Sequence, residues 1–450
     1  MLKQEKRKVA FIALGCPKND IDGEIMLGLL KERGYDLTID AADADAIIVN
    51  TCAFIRSAQE EAIDAVLTAA LHKKTGKLRQ LVVSGCLAER YKEKMIDLFP
   101  EVDAVIGLGS IGETADILDG LFNGRNSHKV FCSGSLSMDY LENSRILSES
   151  RPFQYLKIAE GCDNRCTYCV IPSLRGKYQS RTLEALFKEA ANLVNQGAKE
   201  LVLVAQDVTR YGTDLYGKRS LVELIKKLSG IDHLSRIRLL YCYPDQIDDA
   251  LILELQTNPK LMKYLDIPIQ HISDSVLHKM GRKGDSSDII NLLDKLRKEI
   301  PDIVIRTSLI TGFPGETEED FQKLKQFIKE APFEHLGVFD YSKEAGTPAG
   351  KMKDQVPVRI RKKRRDEIMA VQQENVKNHN LSRIGKTYDT IIESVSEDGI
   401  FYTGRTYAEA PDIDPVVYIT SENPVDPGEI VSVQILCVNE YDLIGNVIVK

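Results

Sequence analysis

Ten short runs rich in valine and isoleucine, with helically patterned stretches between them, constrain this chain more than any other feature. Four come early: "KVAFIAL", "AIIVN", "QLVVSG" and "DAVIGL". Helical spacing follows them, as over 57–70, where Ile63, Val66 and Leu67 recur at i, i+3 and i+4. Strands that alternate with helices imply βαβ units and a parallel sheet, whose ligands sit beyond the strands' carboxyl ends. Beyond Asp139 the pattern decays into "YLENSRILSESRPF", which reads as a linker. Six further runs occupy 154–340: "YLKIAE", "ELVLVA", "RIRLLY", "YLDIPI", "VIRTSLITG" and "HLGVFDY". Six βα units fall two short of the eight-fold barrel and imply an open or partial one.

Two segments remain. "VPVRIRKKRRDEIMAVQQENVKNHN" reads as one helix with a basic first half, either a solvated face or a contact for phosphate or nucleic acid. From Leu381 onward short strands and turn residues prevail, in "TYDTIIESV", "IFYTGRTY", "VVYIT", "EIVSVQILCV" and "LIGNVIV". Five such strands suit a small OB-like barrel. The expected fold is therefore α/β in three parts: a βα parallel-sheet domain over 1–140, a linker at 141–152, a (βα)6 partial barrel with its closing helix over 153–380, and a small β-barrel over 381–450.

An apolar fraction of 43% and a charged fraction of 28% are those of a soluble globular chain. No apolar run approaches the ~18 residues of a membrane helix. The start, "MLKQEKRKVAFIALGC", has the outline of a lipoprotein leader. Its apolar stretch from Val9 to Leu14 is shorter than the roughly 7–15 residues such leaders need, and it reads as a first buried strand. A cytoplasmic location is expected. Charge is uneven: 381–450 holds four basic and twelve acidic residues, which equals the chain's whole net charge of −8.

Nine cysteines in a reducing compartment point to metal binding or catalysis rather than disulfides, and the odd number agrees. Three of them, Cys162, Cys166 and Cys169, stand in "EGCDNRCTYC", just after the first strand of the second part. Gly161, Asp163 and Asn164 are turn formers, so this is a loop. Structural zinc is four-coordinate and closed. Here no fourth ligand follows nearby, and iron–sulfur clusters are held by similarly tight cysteine runs. Three thiolates leave one iron open to a small-molecule ligand; zinc is the competing reading. Cys16, Cys52 and Cys86, in "LGCPKN", "NTCAF" and "SGCLAE", each follow an apolar run. Adjacent parallel strands would bring them to one edge as a second three-ligand site. Cys132, Cys242 and Cys437 read as structural. No acid–base or nucleophile constellation is present, so catalytic residues stay unassigned.

The Cys-x3-Cys-x-aromatic-Cys loop after the first strand of a βα partial barrel resembles the radical S-adenosylmethionine (SAM) superfamily. That resemblance implies a 4Fe-4S cluster whose open iron binds SAM, with Tyr168 beside the adenine. It also implies that "SLITGFPGET" (308–317) lies near SAM, with Gly312 and Gly315 permitting close backbone approach; a plain Gly/Pro turn is the alternative. His271, in "DIPIQHISD", either lines the SAM pocket or caps a loop. Two three-cysteine sets on this layout resemble the methylthiotransferase family over essentially the whole chain. The family implies an auxiliary 4Fe-4S cluster on Cys16, Cys52 and Cys86 in the N-terminal domain, a radical SAM core and a C-terminal TRAM-type barrel that docks the substrate. Its reaction replaces C–H by C–S–CH3 with two SAM per turnover. An unactivated C–H bond offers no acid for a general base, so cofactor chemistry must open it.

"GCPKND" and "GRTYAEAPDIDPVVYI" (404–419) resemble the RimO-type branch, which modifies an aspartate β-carbon of small-subunit ribosomal protein twelve. Pro415 departs from that branch's signature, where Gly is expected. An acidic barrel would repel a phosphate backbone and attract a basic protein, so Glu409, Asp412 and Asp414 are expected to dock the substrate. An electron donor such as flavodoxin or ferredoxin is implied, and no membrane. The rival readings are the same chemistry on tRNA adenosine, supported by the basic helix, and a non-catalytic iron–sulfur or zinc protein that binds RNA.

Overall fold

The structure, a computed structural model, describes residues 6–125, 129–133, 138–396 and 399–448. Glu397, Asp398 and Lys450, counted in the charge argument, lie outside the described residues, as does the start of the leader-like segment. Contacts divide the chain into two compact units. The first takes Met1–Glu149, Glu160–Asn164 and Cys169–Gln179; the second takes Ser150–Ala159, Arg165–Tyr168 and Ser180–Lys450. The expected small barrel is thus grouped with the partial barrel rather than standing apart.

The first unit is built on a six-stranded parallel sheet in the order Asp36–Thr38, Lys8–Ala13, Ala46–Thr51, Gln80–Gly85, Ala104–Ile106, Val130–Phe131. All four expected strands are present. The two that sequence reading missed are edge strands with one and two apolar residues, too few to stand out as a run. The central strand Ala46–Thr51 is buried throughout. The helix expected over 57–70 runs Arg56–Thr75. It buries Val66 but leaves Leu67 exposed. The segment read as a linker packs onto this unit: Tyr140 and Leu141 are buried, and the Arg145 guanidinium pairs with Glu24 at 2.6 Å. No helix among the described residues is long and apolar enough to cross a membrane.

In the second unit the six expected strands form one parallel sheet in chain order: Phe153–Lys157, Glu200–Val204, Arg236–Leu239, Leu261–Asp266, Val304–Thr311, His335–Asp340. Each crossover between them carries a helix, as the βα pattern demands. The five C-terminal strands close into a barrel around Ile392, Val417, Ile419, Val433, Ile435 and Leu443.

The loop at 405–414, expected as an acidic docking face, is instead held by the core. One side chain or more from every strand of the six-stranded sheet bonds to it. Tyr155 reaches the Pro411 carbonyl and Asp412; Glu200 pairs with Arg405; Arg236 and Arg238 donate to the carbonyls of Arg405 and Tyr407. Tyr264 donates to Asp414 at 2.6 Å, Arg306 lies 3.5 Å from the same carboxylate, and His335 meets the Ala408 carbonyl. Glu409 is 3% exposed and bound by Arg383 at 2.5 Å. The Asp414 side chain is 2% exposed. Neither can meet a partner, because their charges are spent inside. Asp412 is exposed but already paired with Arg151 at 3.0 Å. Asp412 also takes the left-handed conformation of this turn (φ 63°), three residues before the departure at Pro415.

The basic segment forms the helix Val358–Leu381. It is solvated in part, with Arg359, Lys362 and Lys363 exposed. Arg361 and Arg364 are buried, and Arg365 pairs with Asp340 and Asp366.

Candidate functional site

In the first unit, Cys16, Cys52 and Cys86 follow three neighbouring strands, Lys8–Ala13, Ala46–Thr51 and Gln80–Gly85, at their carboxyl ends. The first two strands flank the point where strand order reverses, the place where open α/β sheets bind ligands. Each cysteine also sits at or close before a helix start: Cys16 caps Pro17–Arg33, Cys86 opens Cys86–Tyr91, and Cys52 precedes Arg56–Thr75.

Polar side chains lock these strand ends. The Asn50 amide donates to the Asn19 carbonyl at 2.7 Å, the Asn19 amide to the Leu14 carbonyl at 2.6 Å, and the Thr51 hydroxyl to the Ser84 carbonyl at 2.5 Å. Gly85 has φ 88°, and a Cβ there would lie 2.5 Å from Asn50 Oδ1, so the turn into Cys86 requires glycine. Burial pushes the Cys86 thiol up to about 11 against the pull of Arg175. Burial also raises Cys52, opposed by the backbone N–H groups of Phe54 and Ala53. Arg175 donates to Cys86 Sγ at 3.4 Å. Sequence reading missed Arg175 and its partners Asp22, Glu160 and Tyr140, because nothing local marks a buried charge.

The second set lies on the loop after Phe153–Lys157. Within the first unit, the Cys162 amide donates to the Gly176 carbonyl at 3.1 Å, and the Ile171 amide to Cys169 Sγ at 3.4 Å. Within the second unit, Cys166 Sγ is 2.8 Å from the Tyr243 hydroxyl and 4.0 Å from Arg282 Nη1. The Arg282 guanidinium stacks 3.8 Å from the Tyr243 ring centroid and donates to the Pro268 carbonyl at 2.5 Å. Both partners come from segments after neighbouring strands of the six-stranded sheet, and burial raises the Tyr243 hydroxyl well beyond its ordinary range. The half-buried Tyr168 ring stands edge-on to Phe313, which meets Tyr341 in turn. Within the second unit, Tyr243, Arg282 and Phe313 all follow the carboxyl ends of strands of the six-stranded sheet.

In the neighbouring loop Gly312 and Gly315 take positive φ (70° and 77°). A Cβ on Gly312 would meet Arg361 Cγ at 2.3 Å, and one on Gly315 would meet Lys279 Nζ at 2.7 Å, so on that side each glycine lies against this chain's own side chains. His271 is 0% exposed, so it does not line an open pocket. Its Nδ1 accepts from the Ser273 amide at 2.9 Å, and its Nε2 lies 3.7 Å from Glu316. Burial holds this imidazole at about 3, hence neutral. Glu316 accepts the amides of Gly312 (2.7 Å) and Phe313 (3.2 Å) and is bound by Arg364 at 2.8 Å. His271 and the two buried arginines therefore brace the 312–316 loop from behind.

Among the described residues no three His, Cys, Asp or Glu side chains converge as a single ion would require. A cubane takes one thiolate per iron and wants spread sulfurs, each with an N–H or O–H donor nearby. Cys52, Cys86, Cys166 and Cys169 each have such a donor, so the donor chemistry fits iron–sulfur better than zinc.

Comparison with known proteins agrees. Residues 8–107 match the uncharacterized protein family UPF0004, residues 156–328 the radical SAM superfamily and residues 384–448 the TRAM domain. Among solved structures, the radical SAM methyltransferase TsrM from Kitasatospora setae, with cobalamin and a 4Fe-4S cluster bound, covers 77% of each chain at 15% identity and a TM-score of 0.57. The cobalamin-dependent SAM radical enzyme OxsB covers 83% of this chain and 56% of its own at 12% identity and a TM-score of 0.51. These show the fold. Fold, cysteine loop and matched domains together define a radical SAM enzyme with a TRAM-type barrel, a superfamily that implies a 4Fe-4S cluster and SAM. Curated relatives called ribosomal protein uS12 methylthiotransferase RimO are 53% identical in Acetivibrio thermocellus (98% of this chain, 99% of that one) and 48% in Lachnoclostridium phytofermentans (97% and 99%). One from Clostridioides difficile is 45% identical (98% and 99%). The chain belongs to this RimO family of methylthiotransferases and is a transferase.

Proposed function

We propose that this chain replaces the β-carbon C–H of an aspartate in ribosomal protein uS12 with C–S–CH3, using two SAM per turnover. The observation that carries this reading is the pair of three-cysteine sets, each after the carboxyl end of parallel strands, in a chain 45–53% identical over nearly its whole length to curated relatives called uS12 methylthiotransferase. Cys162, Cys166 and Cys169 hold the SAM-binding cluster, and Cys16, Cys52 and Cys86 hold a second. When bound, these clusters and SAM supply one-electron cleavage and the transferred sulfur. A flavodoxin- or ferredoxin-type protein delivers the electron. The functional parts are 1–140, 153–380 and 381–450, joined by 141–152, in the cytoplasm.

The chain's own residues do the holding. Tyr243 and Arg282 fix Cys166. Tyr168, held edge-on to Phe313, would lie beside the adenine of bound SAM. The Glu316–Arg364 pair fixes the 312–316 loop through its amides. Burial of Phe313 and Tyr341 excludes water from that edge, as chemistry on an unactivated C–H requires. Of the basic helix, Arg361 and Arg364 face inward, and the exposed Arg359, Lys362 and Lys363 are what still supports the tRNA reading.

The test is anaerobic reconstitution, addition of reductant, SAM and purified uS12, then mass spectrometry of the digested substrate. A mass gain of SCH3 in place of H on one aspartate is expected. Methylthiolated tRNA with unmodified uS12 would overturn the assignment.

A further inference from the structure

The short helix Ile171–Arg175 follows Cys169 directly and belongs to the first unit. At its start, the Ile171 amide donates to Cys169 Sγ at 3.4 Å. At its end, the Arg175 guanidinium donates to Cys86 Sγ, also at 3.4 Å. One helical turn thus gives an N–H to one sulfur of each cysteine set.

Arg175 is 2% exposed, one of the largest side chains so deeply buried here. Its terminal nitrogens also donate to Asp22 Oδ2, at 3.1 Å from both, and Nη1 donates to Glu160 Oε2 at 2.7 Å. The Tyr140 hydroxyl lies 2.9 Å from Asp22 and 3.3 Å from Glu160. Buried charge of this kind is expensive, and apolar packing of equal volume stabilises as well or better. A group serving only to fasten the helix would not need to reach a sulfur. Arg175 does, and its field acts on Cys16 and Cys52 as well.

We propose that Arg175 is a positioning residue that raises the reduction potential of the cluster held by Cys16, Cys52 and Cys86, and that Asp22 and Glu160 limit that rise. The proposal rests on the reading that these cysteines bind a cluster. Reduction adds negative charge to an iron–sulfur cluster, and a cation with an N–H aimed at a ligand sulfur stabilises the reduced form. A carboxylate behind that cation works in the opposite direction.

The test is a redox titration followed by electron paramagnetic resonance, on the full chain carrying C162A, C166A and C169A so that the first set is read alone. That parent should hold about four iron; a parent without iron would sink the cluster reading itself. In this background Arg175→Gln should shift the midpoint potential negative, Arg175→Lys should shift it less, and Asp22→Asn should shift it positive. Opposite signs are what a merely structural role does not produce. If Arg175→Gln cannot retain iron, Arg175→Lys and Asp22→Asn carry the test. Iron-replete Arg175 and Asp22 variants whose potentials stay at the parent value, or move in the same direction, would overturn the proposal.

Discussion

The two cysteine sets differ in what assembles them. Cys162, Cys166 and Cys169 lie within eight residues, and chain connectivity keeps them close whatever surrounds them. Cys16, Cys52 and Cys86 are spread over three strand ends, and the sheet must form before they meet. The local set sits on a loop bounded by turn formers. The dispersed set is held by Asn19, Asn50, Thr51 and Ser84, which bond strand end to strand end. One set is a property of a loop; the other is a property of a topology.

The largest effects should come from removing each set. Replacing Cys162, Cys166 and Cys169 with Ala should halve the roughly eight iron of two cubanes and abolish SAM cleavage to 5′-deoxyadenosine. Replacing Cys16, Cys52 and Cys86 should remove the other half and all methylthio product while SAM cleavage persists. Product from the second variant would erase the division of labour between the sets.

A subtler change should separate assembly from ligation. Asn50→Ala strands buried polar partners, at a cost of about 1–3 kcal/mol. It should lower iron at the dispersed set and spare the loop set, as read by iron analysis in backgrounds lacking one set or the other. Equal losses at both would mean that the strand-end bonds do not distinguish them.

The charged C-terminal segment offers a parallel contrast between buried and exposed acids. Burial opposes ionisation of Glu409, but Arg383 and the Thr406 hydroxyl outweigh it and hold the carboxyl at about 2, below its ordinary 4.5. Its contribution to stability is therefore complete above about pH 4.5 and lost as pH falls toward 2. Glu409→Lys should destabilise the second unit by about 3–5 kcal/mol, and Glu409→Gln should flatten the acid limb of a denaturation series. The smallest effect belongs to the exposed acids Glu422, Asp426 and Glu429. Changing them to Lys should slow association with uS12 a few-fold at low salt and leave SAM cleavage intact, since surface attraction is screened over about 8 Å at physiological salt. Salt-independent binding in wild type would remove the charge argument.

Periodicity and spacing are local properties, and what they encode was legible: ten of the twelve strands in the two parallel sheets, the five barrel strands, the long helix and the two groups of three cysteines. The edge strands Asp36–Thr38 and Val130–Phe131 were not, because one or two apolar residues do not stand out as a run. Burial of charge is not local. "GRTYAEAPDIDP" shows its acids plainly, yet whether Glu409 and Asp414 face water depends on Arg383, Tyr264 and Arg306, which come from distant parts of the chain. The same holds for Arg361 and Arg364, which read as a basic face and turn inward to Tyr341 and Glu316, and for Arg175, which no motif distinguished from a surface arginine. Order along the chain is enough to mark two groups of three cysteines and the segments that can be strands. Which charges are solvated and which are paired inside emerges only when the chain folds, because a charge's environment is set by whatever packs over it.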